Sequence, residues 1–264
     1  MKPDEQACYL YCLTPSGRGV EAAAAGVDER HPVLVRDCGG MGAVYSEVAR
    51  EDFVGPAAEA RLQDLAWLGP RVCCHETVIE QAMSRAPVLP ARFATLFTSL
   101  ESLENFVVEH REALAGFFAQ LGDKQEWAVK GLLDRAAALE KLSQPAEPAA
   151  DCSPGAHYFE QKRLKAQAER EVSQRLKEFC RQTAADLGTR AGGFRERKAL
   201  APETGAAEAV LNWAFLIAPA EIAEFRVCLD RLNGDAAFPG LTLALTGPWP
   251  PYSFVPNLSG GAET

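Results

Sequence analysis

The chain reads as an α+β protein of two domains, and three observations predict it. The second half runs β-α-β-β-α-β, the split βαβ order called ferredoxin-like, which sets helices on one face of an antiparallel sheet. Helices segregated to one face make this α+β rather than doubly wound α/β, and the first half of the chain is the obvious cover for the other sheet face. A length of 264 residues, with 47% apolar and 24% charged, is enough for one large domain or two small ones, each with a packed core. The boundary is placed near residue 122. Residues 1–122 form an N-terminal α+β domain. Residues 123–264 form a modified ferredoxin-like domain ending in a proline-rich aromatic tail.

Taken in order, Cys8–Thr14 is an aromatic-rich strand closed by Pro15-Ser16-Gly17. A hairpin pairs Val33–Asp37 with Ala43–Val48 around Gly39-Gly40, where glycine supplies the positive φ of a tight reversal. Residues 56–85 are helical in two pieces, with Gly69-Pro70 ending the first at Leu68. The second piece carries Val72, Thr77-Val78-Ile79 and Met83 as its inward stripe. Pro87 and Pro90 forbid helix in the following segment and confine any strand to an edge or bulge. One helix over 100–120 is capped by Ser99 or Ser102, with Leu103, Phe106-Val107, Leu114 and Phe117-Phe118 on one side.

In the second half, Glu126–Leu133 alternates as a strand, and a Pro/Ala-rich loop fills 143–154. A long helix over 156–187 bears Leu164, Ala168, Val172, Leu176, Cys180, Thr183 and Leu187 at helical spacing. Strands are predicted at 190–198 and 209–217, a helix at 219–232 and a last strand over Leu241–Thr246.

Charge and cysteine content narrow the function classes. The net charge is −9, yet residues 155–200 carry eleven Lys/Arg against six Asp/Glu. An acidic chain whose basic stretch is helical does not read as a nucleic-acid binder. The stretch is a solvated helix face or a dock for an acidic surface. No apolar run approaches the roughly 18 residues that cross a bilayer, and Met1–Gln6 lacks a secretory leader, so a soluble, cytoplasmic protein is expected. The eight cysteines are widely spread and read as reduced, mostly buried thiols.

Enzyme signatures are sparse. There is no Gly-x-Ser-x-Gly elbow, no phosphate loop and no strand-linked Gly-x-Gly-x-x-Gly. Cys73-Cys74-His75 points in three directions on a helix, so it cannot close on one metal ion. Cys8 and Cys12 share a strand face but lack further ligands. No catalytic, metal or cofactor-binding residue is therefore expected. Two segments stand out instead. In Val88–Phe93, Arg92 lies among apolar residues, as half of a buried ion pair with a helix glutamate or as a partner contact. In Thr246–Phe254, prolines stiffen an aromatic run, and polyproline II geometry sets Trp249 and Tyr252 on one side. That run lines a domain seam or forms a recognition surface. The candidates for partner binding or the seam are Arg92, Phe93, Trp249, Tyr252 and Phe254.

These segments resemble the gas vesicle accessory proteins of the GvpF/GvpL family. The resemblance rests on Tyr9-Leu10-Tyr11, on His75 ahead of Val88-Leu89-Pro90-Ala91-Arg92-Phe93, and on Glu126-Trp127-Ala128-Val129-Lys130. Pro154-Gly155-Ala156-His157-Tyr158 and the run Gly247–Phe254 complete it. Departures are Cys12 and Ala94, where the family has glycine. The resemblance implies a two-domain α+β fold and a non-enzymatic role in assembling gas vesicles. It also implies association with the small apolar shell protein and other accessory proteins in a gas vesicle, with no cofactor, nucleic acid or membrane. A ferredoxin-like ligand-binding regulatory module is the alternative from another class.

Overall fold

The computed structural model describes residues 6–15, 25–142, 154–199, 207–234 and 237–258. Met1–Glu5, read as lacking a leader, the predicted turn residues Ser16-Gly17, most of the predicted Pro/Ala-rich loop and Cys152 lie outside them. The chain divides into two compact units, residues 1–123 with 249–264, and residues 124–248. The run from Trp249 onward thus groups with the first unit. Both units are mixed α and β, each built on one antiparallel sheet.

In the first unit, β1 (Gln6–Thr14) is the central strand. β3 (Gly42–Ala49) pairs with one edge of it and carries β2 (Leu34–Asp37) outside. The β2–β3 reversal holds Gly39 at φ 68° and Gly40 at φ 91°, and Asp37 Oδ1 accepts from Gly40 N–H at 2.7 Å. The other edge of β1 takes two short strands, β4 (Leu89–Pro90) and β5 (Leu96–Phe97). The proline-bearing segment thus lies at a sheet edge, as expected. The chain turns between the two strands, with Thr95 N–H bonded to Arg92 O and Ala94 at φ 62°.

A register shift between Leu10 and Cys12 makes Tyr11 a bulge in β1. Tyr9, Tyr11 and Cys12 consequently share one core with Ala7, whereas Leu10 and Leu13 line a cleft. This corrects the expected common face of Cys8 and Cys12, since the extra residue reverses the alternation between them. All seven described cysteines are free thiols, with Cys8, Cys12, Cys38 and Cys228 buried.

The helices α1 (Pro56–Gln63) and α2 (Leu65–Met83) break at Asp64, not at Gly69-Pro70. Asp64 is extended (φ −86°, ψ 106°) and its carboxylate accepts from Ala66 N–H at 2.9 Å, a strong N-cap. Pro70 lies in the second turn of α2. The buried face of α2 is His75, Val78, Ile79 and Ala82, so Thr77 is exposed rather than inward. The expected single helix over 100–120 is two, α3 (Leu100–Glu109) and α4 (Arg111–Leu121), divided at His110. Ser99 caps α3 in a reciprocal box with Ser102.

In the second unit the sheet order is β7 (Gly193–Glu196), β8 (Glu208–Ile217), β6 (Gln125–Leu133), β9 (Leu241–Trp249). β8 thus lies between β6 and β7, the split βαβ order. One sheet face, bearing Trp127, Val129, Trp213 and Phe215, forms a core with α6 (Pro154–Gly188) and α7 (Ile222–Asn233). A short helix α5 (Arg135–Leu142) contributes Ala138 to it and is absent from the sequence reading. β9 does not stop at Thr246 but runs through Pro248 to Trp249. An edge strand tolerates the missing proline donor.

Candidate functional site

The sequence of β1 puts two tyrosine hydroxyls into an apolar core, where each needs a partner. Tyr11 sits in a relay. Val27 N–H donates to its oxygen at 2.7 Å, its hydroxyl donates to Ser46 Oγ at 3.0 Å, and Ser46 donates to Pro32 O at 2.9 Å. The relay fixes the loop before β2, and Gly26 is there because a Cβ would overlap Ser46 Oγ and Tyr11 Oη.

Tyr9 anchors a second network that builds the candidate site. His75, fully buried on α2, donates from Nε2 to Ala91 O at 3.1 Å, which leaves Nδ1 to accept from the Tyr9 hydroxyl at 2.9 Å. Tyr9 Oη in turn accepts from Ala94 N–H at 3.2 Å. Ala91 N–H is held by Tyr11 O at 2.8 Å. The turn from Ala91 to Ala94 is therefore tied at both ends to β1 and α2. Burial lowers the His75 imidazole from 6.5 to about 4, against a smaller opposing effect of its bond to Ala91 O, so it is neutral at neutral pH.

Arg92 projects from this fixed turn and is exposed. Among the described residues it makes no ion pair, so the expected buried pair with a helix glutamate is not formed. It lines a cleft of about 530 Å³ within the first unit. The walls are apolar, with Leu10 and Leu13 from β1, Phe97 from β5 and Phe106 from α3. The rings of Phe97 and Phe106 pack at a tilt of 55°, their centroids 5.2 Å apart.

The tail supplies the remaining wall. It is not the polyproline blade the sequence predicts. Pro251 takes φ −78° and ψ 52°, and Tyr252 N–H reaches Pro250 O at 2.7 Å, an inverse γ-turn leading into a 3-10 turn over Tyr252–Phe254. Tyr252 is thereby turned inward, and its hydroxyl donates to Glu76 Oε1 at 2.9 Å, 3.4 Å from His75 Nε2. Burial raises the Glu76 carboxyl above its ordinary range, and Glu80 adds to this, while the Tyr252 bond opposes it. Burial and the neighbouring Glu76 raise the Tyr252 phenol.

Of the five candidate residues, the structure brings Arg92 and Tyr252 together on the cleft wall. Phe93 faces the other way, its ring against Tyr9, Phe53 and His75 at 5.7–6.3 Å. Phe254 is buried, and Trp249 is 44% exposed and does not line the cleft. Sequence reasoning missed the His75–Tyr9 and Tyr252–Glu76 pairs. Their signal was available: two tyrosines in an apolar strand and one histidine at helical spacing from Val78, Ile79 and Ala82. Among the described residues, no three His, Cys, Asp or Glu gather as a metal site, and no helix is long and apolar enough to cross a membrane.

Two antiparallel sheets with packed helices, and a largely apolar cleft on which Arg92 is the one cation among the described residues, define an α+β protein with a surface suited to binding. Comparison with known proteins places it further. Residues 7–256 match the family described as gas vesicle synthesis protein GvpL/GvpF, and the chain belongs to that family. It is 31% identical over 250 residues to gas vesicle protein L of Streptomyces sp., covering 93% of this chain and 91% of the relative. Gas vesicle protein L1 of Halobacterium salinarum is 24% identical, with 95% and 90% covered. Among solved structures, GvpF from Anabaena sp. superposes with a TM-score of 0.73 at 19% identity, covering 96% of this chain and 99% of that one. GvpF from Microcystis aeruginosa gives 0.67 at 22% identity, covering 95% and 99%. The fold class is thus that of GvpF, and the chain is a gas vesicle accessory protein of this family.

Proposed function

We propose that this protein is a non-enzymatic assembly factor that binds the apolar gas vesicle shell protein, and other accessory proteins, while the wall is nucleated or extended. It acts at the gas vesicle in the cytoplasm and needs no cofactor. The observation that carries this reading is the cleft of the first unit, about 530 Å³, with apolar walls and Arg92 exposed on it. Shell subunits expose apolar faces and strand edges before incorporation, and such surfaces aggregate unless covered. An apolar cleft carrying one cation holds such a segment by burial and orients it by charge. The exposed indole of Trp249 is a second contact of the same chemistry.

The test is co-purification of the shell protein with the full chain. Arg92→Glu and Trp249→Ala each change an exposed residue, and circular dichroism checks that both variants fold. Capture is expected to fall in both. Capture at the wild-type level by folded Arg92→Glu protein would remove the cleft from this function.

A further inference from the structure

Helix α6 is 35 residues long, roughly 50 Å at helical rise. Its inward face is buried from Val172 through Leu176 and Thr183 to Leu187. Between Tyr158 and Glu171 no side chain is buried. The same face continues along this arm as Tyr158, Lys162, Lys165 and Glu169, at the i, i+4, i+7, i+11 spacing that leads into Val172 and Leu176. These four residues line one shallow groove. Tyr158 is 62% exposed and Phe159 beside it 72%, large apolar surfaces at the tip of an otherwise polar arm.

The charges on this face are ordered. Lys162 and Lys165 lie toward the tip and Glu169 toward the base, and none of the three forms an ion pair among the described residues. Of the other charges along this stretch, Arg163 pairs with Glu160 and Arg175 with Glu171 within the helix. A face positive at one end and negative at the other is complementary to itself turned end for end. An acidic partner or a nucleic acid would be met by an unbroken row of cations, and Glu169 interrupts it.

We infer that the α6 arm is a self-association surface, on which a second copy of this chain packs its own arm antiparallel about a two-fold axis. Setting Lys165 opposite Glu169 of the second copy creates two symmetric ion pairs. The same register places Tyr158 level with Leu176 of the other copy, where the body of the unit begins, so the exposed ring is covered. The overlap from 158 to 176 is about 27 Å long, with the two helix dipoles opposed. This contact is separate from the cleft and does not depend on shell binding.

Sedimentation velocity of the full chain over a concentration series tests it. A monomer–dimer equilibrium that weakens with added salt is expected. Lys165→Glu should raise the dissociation constant about tenfold, since two pairs become repulsive. Lys165→Glu with Glu169→Lys should restore it, because an isologous contact tolerates exchange of both signs. Tyr158→Ser, which touches no core, should weaken it as well. A monomer at every concentration, or a dimer indifferent to all these changes, overturns the proposal. A wild-type monomer that retains a polyglutamate peptide on this arm would replace the second copy by an acidic partner.

Discussion

The Tyr9 hydroxyl stands between two groups that have no other partner for these atoms among the described residues: it donates to His75 Nδ1 at 2.9 Å and accepts from Ala94 N–H at 3.2 Å. Tyr9→Phe keeps the ring and removes both bonds. An acceptor in a fully buried ring and a donor at the edge of the core are then left unmatched. The expected loss is about 2–4 kcal/mol in urea-induced unfolding, well above the usual worth of one hydrogen bond. Loss below 1 kcal/mol would mean that water reaches the site and replaces the hydroxyl.

Ala94 adopts φ 62°, in the left-handed region where a Cβ is crowded by the following carbonyl. The three bonds that tie down Ala91 and Ala94 hold it there. Ala94→Gly removes a strain of about 1–2 kcal/mol and adds about 0.5–1 kcal/mol of unfolded-state freedom. A net gain of up to about 1.5 kcal/mol is expected, seen as a raised urea midpoint at unchanged slope. A destabilised glycine variant would show that the methyl group contributes packing against the Tyr9 core that outweighs the strain.

The pH dependence follows from His75. The unfolded chain takes up this proton near 6.5, and the folded protein only near 4. Stability from the neutral ring is complete above 6.5 and drains away as pH falls toward 4, by about 3 kcal/mol in all. Glu76 acts in the opposite sense, because its carboxyl is raised by burial and gains a proton more readily when folded. Thermal unfolding from pH 7 to 4 should show a fall in Tm that His75→Gln flattens and Glu76→Gln steepens. An unchanged slope in His75→Gln would assign the acid sensitivity elsewhere.

The segments legible in the sequence were those whose periodicity and punctuation agreed. The β2–β3 hairpin has its glycines where positive φ is needed, and α6 keeps a stripe from Val172 to Leu187 without interruption. Errors arose where two local signals competed. At Asp64 a carboxylate cap outweighed the visible Gly69-Pro70 dipeptide, because a proline early in a helix forgoes a single backbone bond whereas the cap satisfies an otherwise open donor. At His110, side-chain capture of Phe106 O at 2.9 Å accompanies a break inside one amphipathic pattern that ran through both helices. The site was half legible for a different reason. Arg92 and Tyr252 stood out by residue type, but their juxtaposition depends on the bulge at Tyr11, the turn at Ala94 and the γ-turn at Pro251, three backbone departures with no periodic signature.

Gly247 opens the Gly-Pro-Trp run, and its requirement for glycine has two separable origins. Its φ is 139°, which a side chain rarely accepts, and a Cβ there would lie 3.0 Å from the Trp127 ring and 3.1 Å from Glu126 O. The indole cannot easily move, since it is part of the packed core and Arg226 sits 5.2 Å over its face. Gly247→Ala should therefore cost about 2–4 kcal/mol, the sum of a strained backbone and an overfilled contact. A double-mutant cycle separates the two. With Trp127→Leu the ring contact is relieved and the Gly247→Ala cost should shrink to the backbone strain of about 1–2 kcal/mol. An undiminished cost in the Trp127→Leu background would show that backbone conformation alone selects glycine, and that β9 passes Trp127 with room to spare.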